Sequence, residues 1–291
     1  MPATPEATPH TLAGALTLAL CRGGLMAGAV GGAVALGLLG GETALAKARI
    51  PRSLLTPPAT DGTLWTAPRV DRRRRPVRVA LFGDSMAAGF GVDHPEDTLA
   101  GQLALRASAQ LGRPVRISNA AVVGARSRDL REQLRTLAAQ DGSAHPDLAV
   151  LVVGANDVTH RVPVEEAVRH LALAVHALHL NGTAVVVGTC PDLGCVRPIA
   201  EPLRTIAHRR SRRLGRLQTV AVRRAGAVAV PLYDELGTRF TTEPHLLGPD
   251  RFHPSAAGYA LAADVLLPAA LRALGPAAAA GIPCQGRRPA A

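Results

Sequence analysis

A serine, a histidine and an aspartate stand in local contexts that favour nucleophilic chemistry. Ser85 closes a Gly-Asp-Ser triplet directly after a short apolar run, and the glycine lets the chain turn tightly there. His253 follows Asp250 by three residues and precedes Pro254, which favours an extended backbone at the histidine. An Asp-His pair that reaches a serine hydroxyl can take its proton, so that the oxygen attacks an acyl carbon. These residues predict acyl transfer with Ser85 as the nucleophile.

Hydrogen-bond donors that can stabilise a developing oxyanion follow the ends of other short apolar runs. Gly124 and Asn156 follow the next two runs, and the backbone N–H of Ser85 is a third donor. Gly124 lets a substrate oxygen approach its N–H because it has no side chain. Asp84 and Asp157 flank these groups and are expected to support them without reacting. For Asp157 the sequence leaves two readings open: it holds the loop of Asn156, or it is an aspartate of a surface turn.

The elements that must position these residues alternate along the chain. The predicted strands are 77–82, 115–123, 147–153, 184–188 and 227–232, and the predicted helices are 98–111, 127–139, 164–180, 202–225 and 255–274. Continuous apolar strands separated by helices indicate a parallel sheet with helices on both faces. Ligands bind at the carboxyl ends of such strands, so the polar residues above are expected to meet at one edge.

These features together resemble the SGNH, or GDSL-type, hydrolase family. The likeness covers about 77–274, and Met86 stands where the family has leucine. It rests on four blocks: Gly83-Asp84-Ser85 with Gly89, then Gly124, then Gly154-x-Asn156-Asp157, and then Asp250-x-x-His253.

The resemblance implies a fold, a site and an activity. The fold is an α/β, flavodoxin-like three-layer αβα sandwich with a five-stranded parallel sheet. Ser85, His253 and Asp250 form the implied triad. The implied oxyanion hole consists of the amides of Ser85 and Gly124 and the side chain of Asn156. The implied chemistry is the hydrolysis of carboxylic esters, with no metal or cofactor.

Composition limits the choice of substrates and partners. The net charge is +11, but the arginines are scattered, with clusters at 72–75 and 204–216, and no nucleic-acid-binding motif accompanies them. We therefore expect no nucleic-acid partner, and attraction to anionic lipid headgroups is a secondary expectation. Aromatic residues make up only 2%, which disfavours a site built on sugar or base stacking.

Four cysteines are too few for a disulfide scaffold, and the absence of a Cys-x-x-Cys pair excludes the usual zinc spacing. Cys190 and Cys195 bracket a four-residue segment. They form a disulfide if the domain is exported, or they are two free thiols; Cys284 is a second candidate partner.

The amino-terminal region predicts membrane targeting. An uncharged run over 23–41 is about long enough to span a bilayer. Ala44-Leu45-Ala46 fits a signal-peptidase site, but basic residues follow it, so cleavage and retention both stay open. The predicted organisation is a disordered and membrane-targeting segment over 1–50, a linker over 51–76, the hydrolase domain over 77–274 and a tail over 275–291. We expect a secreted or membrane-anchored protein.

The predicted function is hydrolysis of small-molecule or lipid esters, with a lipid or short acyl group. An O-deacetylase of carbohydrates or cell-wall polymers is the first alternative, since it uses the same groups. A catalytically inert flavodoxin-like binding module is the alternative from another class. The aliphatic composition and the apolar segment over 23–41 favour hydrolysis of lipid or short acyl esters over both alternatives. The sequence predicts no oligomeric state.

Overall fold

The described residues of the computed structural model, 56–141 and 145–279, build a six-stranded sheet between two layers of helices. The strand order is β1-β3-β2-β4-β5-β6; β2 to β6 run parallel, and β1 pairs antiparallel with β3. The strands are β1 (Leu64–Trp65), β2 (Val77–Gly83), β3 (Val115–Asn119), β4 (Leu148–Val152), β5 (Ala184–Gly188) and β6 (Val228–Val230). The predicted αβα sandwich is confirmed, and its five parallel strands gain an antiparallel sixth.

Helices cover both faces of this sheet. They are α1 (Ser85–Ala88), α2 (Leu99–Leu111), α3 (Leu130–Asp141), α4 (Ala155–Thr159), α5 (Val164–Leu180), α6 (Leu203–Arg224), α7 (Leu232–Thr242) and α8 (Ala256–Ala279). Helices α2, α7 and α8 pack into one apolar cluster on one face. Helices α3 and α5, with the end of α6, pack into a second cluster on the other face.

Strand β4 shows why the sheet must be covered on both sides. All five of its residues are buried. Leu148, Val150 and Val152 belong to one apolar cluster. Ala149 and Leu151 belong to the other, because successive side chains of a strand point to opposite faces. Apolar residues on both faces require helices on both faces, as parallel sheets have in general.

The linker predicted over 51–76 is corrected by the structure for its described part. Residues 64–65 form β1, Trp65 packs against the core, and Ala67 is buried with its N–H donating to Ser108 Oγ at 2.9 Å. A strand of two residues carries no readable alternation of apolar and polar positions, so the composition of this segment concealed it.

Other elements also differ from the sequence-based prediction. The strand predicted over 115–123 ends at Asn119, and Leu232, predicted as the end of a strand, begins α7. Helix α7 was not predicted. The expected helix from Ser127 begins at Leu130, after a 3-10 turn over Ser127–Asp129. Helix α8 continues to Ala279, with a break at Gly275, where φ is 69°. The predicted membrane-targeting segment within 1–50, with Cys21, and the part of the tail that holds Cys284 lie outside the described residues.

Among the described helices, the stretch Ala256–Gly275 is long and apolar enough to cross a membrane by length and composition alone. Half of it is buried in this fold, and it packs against α2, β5 and β6. Burial of Tyr259, Ala262 and Leu266 on its inner face identifies it as a core helix of the sandwich.

The carboxyl end of β2 is held by a buried glutamine. Gly83 has a φ of 133°, and a Cβ at this position would lie 1.8 Å from the carbonyl oxygen of Val152, so only glycine fits. The side chain of Gln133 accepts a hydrogen bond from the Gly83 N–H and donates one to the Gly83 carbonyl, each at 2.8 Å. The glutamine therefore supplies the acceptor for the Gly83 N–H and shares the Gly83 carbonyl with the N–H of Val122, which donates to it at 3.1 Å.

We expect Gln133→Leu to lower the free energy of unfolding by about 1–3 kcal/mol, because it leaves the buried N–H of Gly83 without an acceptor. Urea denaturation of the purified protein measures this difference. Gln140→Leu, on the exposed face of the same helix, is the matched control and should change stability by about 0.5 kcal/mol or less. Equal stability of the two variants would contradict the assigned role of Gln133.

Candidate active site

Ser85, His253 and Asp250 come together at the carboxyl edge of the sheet. His253 Nε2 lies 3.1 Å from Ser85 Oγ, and His253 Nδ1 lies 2.6 Å from Asp250 Oδ2. All three residues are buried. The imidazole thus connects the carboxylate to the hydroxyl, although 168 positions separate the serine from the histidine.

A tight turn fixes the aspartate beneath the histidine. Asp250 Oδ1 accepts hydrogen bonds from the N–H groups of Phe252 at 2.9 Å and His253 at 3.0 Å. Arg251 has a φ of 53°, in the left-handed region, and its N–H donates to the carbonyl of Gly248. Burial acts to raise the pKa of Asp250, but the hydrogen bonds from His253 and these amides outweigh it and hold the pKa below its usual value. The carboxyl group is therefore ionised at neutral pH.

Two phenyl rings flank the imidazole. The ring centroids of Phe90 and Phe252 lie 4.5 Å and 4.7 Å from that of His253. Tyr259, which is fully buried, donates from its hydroxyl to the carbonyl of Phe90 at 2.7 Å. The orientation of the imidazole is consequently set by packing as well as by Asp250.

The residue before the serine caps the short helix that carries it. Asp84 accepts a hydrogen bond from the Met86 N–H at 3.1 Å and also accepts from the amides of Gly154 and Ala155. It is only 2% exposed. Burial raises the pKa of Asp84 to about 7, against the hydrogen bonds that lower it, and the charge of Asp157 adds to the rise.

Asn156 is the second residue of the short helix α4, which follows β4, and Gly124 lies in the loop after β3. Asn156 Nδ2 donates to the carbonyl of Ala125 at 3.1 Å, so the asparagine contacts the loop that contains Gly124. Space around Gly124 is open, since a Cβ there would meet nothing within 4 Å. Within the described residues, the N–H groups of Gly124 and Ser85 have no hydrogen-bond acceptor. Both N–H groups are therefore available to a ligand.

Asp157 fixes the spacing of these two loops. It is 2% exposed and accepts hydrogen bonds from the N–H and the hydroxyl of Ser127, the latter at 2.9 Å. The reading of Asp157 as an aspartate of a surface turn is therefore wrong. Burial raises the pKa of Asp157, and the hydrogen bonds from Ser127 oppose the rise.

The structure does not form the disulfide considered for Cys190 and Cys195. Both are free, buried thiols; Cys195 Sγ donates to the carbonyl of Asp192 at 2.8 Å. Burial raises the pKa of Cys195 to about 12, which keeps this thiol protonated. Cys190 fills the space above Gly154, where a Cβ would come within 2.7 Å of the cysteine Cβ. Across 56–141 and 145–279, no three His, Cys, Asp or Glu side chains group as a metal site needs.

A cleft of about 580 Å³, its open mouth included, begins at Ser85 and His253. Most of its wall is apolar and comes from three places: the segment after β5, helix α7 and the segment before α8. The apolar lining residues are Met86, Ala155, Pro191, Leu193, Val196, Leu236, Phe240, Leu247, Phe252 and Pro254. The serine and histidine thus stand at the polar end of an apolar cleft.

Comparison with known proteins identifies the family. A family model described as GDSL-like lipase/acylhydrolase matches residues 81–261. A GDSL-like esterase of Mycobacterium tuberculosis is 41% identical over 260 residues, which cover 86% of this chain and 81% of that protein. The chain belongs to the GDSL-type esterase family. It is a carboxylic ester hydrolase.

Solved structures show that this GDSL-type esterase shares its fold with enzymes of low sequence identity. The crystal structure of TesA aligns with a TM-score of 0.54 at 20% identity and covers 67% of this chain and 99% of its own. Axe2, an acetylxylan esterase from Geobacillus stearothermophilus, aligns with a TM-score of 0.52 at 20% identity, covering 71% of this chain and 96% of its own. At this identity the likeness concerns the fold alone.

Sequence reasoning missed a polar anchor of the esterase's cleft. Asp192 lines the cleft and accepts hydrogen bonds from the Gly194 N–H at 2.7 Å and from His208 Nδ1 at 2.9 Å. The hydroxyl of Tyr233 lies 3.0 Å from His208 Nε2. These contacts tie the segment after β5 to α6 and α7. No local pattern reveals them, because the three residues come from separate elements.

The raised pKa of Asp84 predicts a pH-dependent effect on stability. A carboxyl with a folded pKa of about 7 stabilises the fold most below its unfolded pKa of 3.8, and this contribution is lost as the pH rises through 7. Asp84→Asn has no such titration. We expect the unfolding free energy of wild type to fall relative to that of the variant between about pH 5 and about pH 8.

Urea denaturation of both proteins at the two pH values measures this difference. Asp93→Asn is the matched control, because the side chain of Asp93 is exposed to solvent. A difference between wild type and Asp84→Asn that stays constant over this range would show that Asp84 is already ionised at the lower pH.

Proposed function

We propose that this esterase cleaves esters with an apolar acyl chain longer than acetyl, using Ser85 as nucleophile, His253 as general base and Asp250 to orient the imidazole. The observation that carries the proposal is the 3.1 Å contact of Ser85 Oγ with His253 Nε2 at the end of an apolar cleft. A hydroxyl and a base at hydrogen-bond distance, with the base held by a third group, have the geometry of an activated nucleophile.

In the proposed reaction, Ser85 Oγ attacks the acyl carbon while His253 Nε2 takes the hydroxyl proton. The carboxylate of Asp250 accepts the hydrogen bond from Nδ1–H and stabilises the imidazolium. His253 then gives the proton to the leaving alcohol, and the acyl group stays on the serine. A water molecule attacks this acyl-enzyme by the same steps, which releases the carboxylic acid and restores Ser85.

The negative oxygen of each tetrahedral intermediate needs donors aimed at it. The free amides of Ser85 and Gly124 and the second N–H of the Asn156 side chain are proposed for this role. The bond from Asn156 Nδ2 to the Ala125 carbonyl supports it, since that bond fixes the amide plane before substrate binds. Donors held in place in advance cost no reorganisation during the reaction.

The cleft supports an apolar acyl group over an acetyl group on a sugar. Its wall carries Phe240 and Phe252 and several aliphatic side chains, which an acetyl group would leave largely in contact with water. Burial of each further methylene contributes about 0.8 kcal/mol to binding. The O-deacetylase alternative predicts no gain from a longer acyl chain. The inert binding module predicts no turnover, and the assembled Ser85–His253–Asp250 cluster disfavours it.

Export or membrane anchoring stays a prediction from the sequence, because the segment within 1–50 on which it depends lies outside the described residues. Membrane association through that segment is likewise a proposal. An apolar acyl substrate is compatible with either location.

We expect Ser85→Ala to lower kcat for a short nitrophenyl ester by about 10⁴-fold or more and to abolish labelling by a fluorophosphonate. The reason is that, within 56–141 and 145–279, the hydroxyl of Ser85 is the one that lies at hydrogen-bond distance from the imidazole of His253. Thermal unfolding of the variant serves as the control for folding. Turnover equal to that of wild type would rule out Ser85 as the nucleophile.

We expect Phe240→Ala to shift the preference of the enzyme toward longer acyl chains, because it removes a large side chain from the cleft wall. The measurement is kcat/KM for nitrophenyl esters from acetyl to palmitoyl. The ratio of long-chain to short-chain kcat/KM should rise by about fivefold or more. Such a rise corresponds to the burial of roughly one further methylene group of the acyl chain. Leu173→Ala, on the exposed side of α5, is the control and should leave the ratio unchanged. An unchanged ratio in Phe240→Ala would show that the acyl chain lies elsewhere.

A further inference from the structure

Helices α5 and α6 lie side by side and run parallel. Arg210 Nη2 donates to the carbonyl of Val162 at 3.0 Å, and Arg213 Nη2 pairs with Glu165 Oε1 at 2.7 Å, each across a sequence separation of 48. At the carboxyl ends of the two helices, Gly226 lies close to His179: a Cβ placed on Gly226 would be 3.6 Å from His179 Cε1. The two helices therefore keep one register along their shared length.

Their outward surfaces carry most of the exposed large apolar side chains of the described chain. Five of the seven such residues in 56–141 and 145–279 lie here, with exposed fractions of 38% to 70%: Leu173, Leu180, Ile206, Leu217 and Val220. The register places Val220 level with residue 172 and therefore beside Leu173. Val222 near the end of α6 lies in the apolar cluster that also contains Leu171 and Leu178 of α5, so the carboxyl-terminal parts of the two helices cover the same face of the sheet. Their exposed apolar side chains therefore lie on the same side of the domain.

The same surface is strongly basic. Helix α6 contains eight arginines and no aspartate or glutamate, and α5 has no acidic residue after Glu166. Within the described residues, Arg169, Arg216, Arg223 and Arg224 form no ion pair, although all four are exposed. We name the residues 169, 173, 176, 180, 216, 217, 220, 223 and 224 the α5–α6 face.

We infer that the α5–α6 face docks on a membrane surface that contains anionic lipid. Its arginines complement the negative charge of the headgroups, each contributing about a fivefold gain in binding near such a surface. Its leucines and valine can enter the boundary between headgroups and acyl chains, as the apolar side of an interfacial helix does. Long arginine side chains can keep their charges at the headgroup level above these apolar residues.

The mixture of side chains favours lipid over nucleic acid. Phosphate binding by a nucleic-acid surface depends on basic and polar groups, and it gives no reason to expose Leu173, Leu180 and Leu217 beside the arginines. An apolar cluster without charge would favour a second protein. The combination found here matches a charged interface with an apolar layer beneath it.

Docking through this face leaves the cleft accessible. Ser85 and His253 lie at the carboxyl edge of the sheet, whereas the α5–α6 face covers one side of it. Helices that follow parallel strands run back along them, so the exposed ends at Leu180 and Arg224 lie away from the catalytic edge. The face would hold the esterase at a lipid surface without closing the cleft.

The test uses the full chain and co-sedimentation with vesicles of phosphatidylcholine, alone or mixed with phosphatidylglycerol. Wild type should bind the mixed vesicles more tightly, and added salt should weaken this binding. Arg216→Glu/Arg223→Glu should weaken it by about tenfold or more. Leu173→Ser/Val220→Ser should weaken it severalfold with the charge unchanged.

Arg72→Glu/Arg272→Glu is the charge-matched control, because both arginines are exposed and lie outside the α5–α6 face. This variant should bind the mixed vesicles as wild type does. Turnover of a soluble nitrophenyl ester should be equal in all variants, which shows that each is folded. Equal loss of binding in the control and in Arg216→Glu/Arg223→Glu would assign the effect to net charge and overturn the proposal.

Arginine labelling with phenylglyoxal tests the face even if another segment retains every variant on the vesicles. On vesicle-bound protein, Arg216 and Arg223 should be protected relative to Arg272. Equal reactivity of the three would overturn the proposal. Loss of duplex DNA binding in Arg216→Glu/Arg223→Glu, with vesicle binding kept, would assign the face to nucleic acid. A concentration-dependent dimer lost in Leu173→Ser/Val220→Ser, with vesicle binding kept, would assign it to a second copy.

Discussion

The carboxyl end of β2 is the point on which the rest of the structure depends, because polar backbone is buried there and every group must find a partner. Gly83 can approach β4 only without a side chain, and Gln133 takes up its N–H and carbonyl. The next N–H, of Asp84, donates to the carbonyl of Val152 at 3.1 Å. These hydrogen bonds fix the backbone at the end of β2, and Ser85, the next residue, therefore lies at the edge of the sheet.

Two carboxyl groups near the serine have opposite electrostatic environments. Asp250 receives hydrogen bonds that favour its charged form, whereas burial dominates at Asp84 and raises its pKa to about 7. Of these two carboxyl groups, Asp250 is the one that contacts the imidazole. The full charge of Asp250 favours the imidazolium that forms when His253 takes the proton of Ser85. The weakened charge of Asp84 reduces the repulsion of the negative oxygen that then develops near Ser85.

Sequence reasoning reached the parallel strands and the residues that follow them, because both leave local signals: continuous apolar runs, glycines and the Asp-x-x-His spacing. It did not reach contacts between distant elements. Phe90 flanks His253, and Asp192 binds His208, only after the chain has folded, and no period or spacing records such pairs. Edge strand β1 was missed for another reason: two residues are too few to show alternation.

Strand β1 also determines where this domain can be cut. The segment before β2 shields the outer side of β3: the N–H of Ile117 donates to the carbonyl of Thr63 at 3.0 Å, and the N–H of Asn119 to Asp61 Oδ1 at 2.9 Å. A shortened domain that begins at β2, where the resemblance to the family begins, would leave these N–H donors unpaired along an exposed edge of the sheet. Exposed sheet edges pair with strands of other molecules. A domain that begins at β2 is therefore expected to associate, whereas one that includes β1 keeps this edge of the sheet paired.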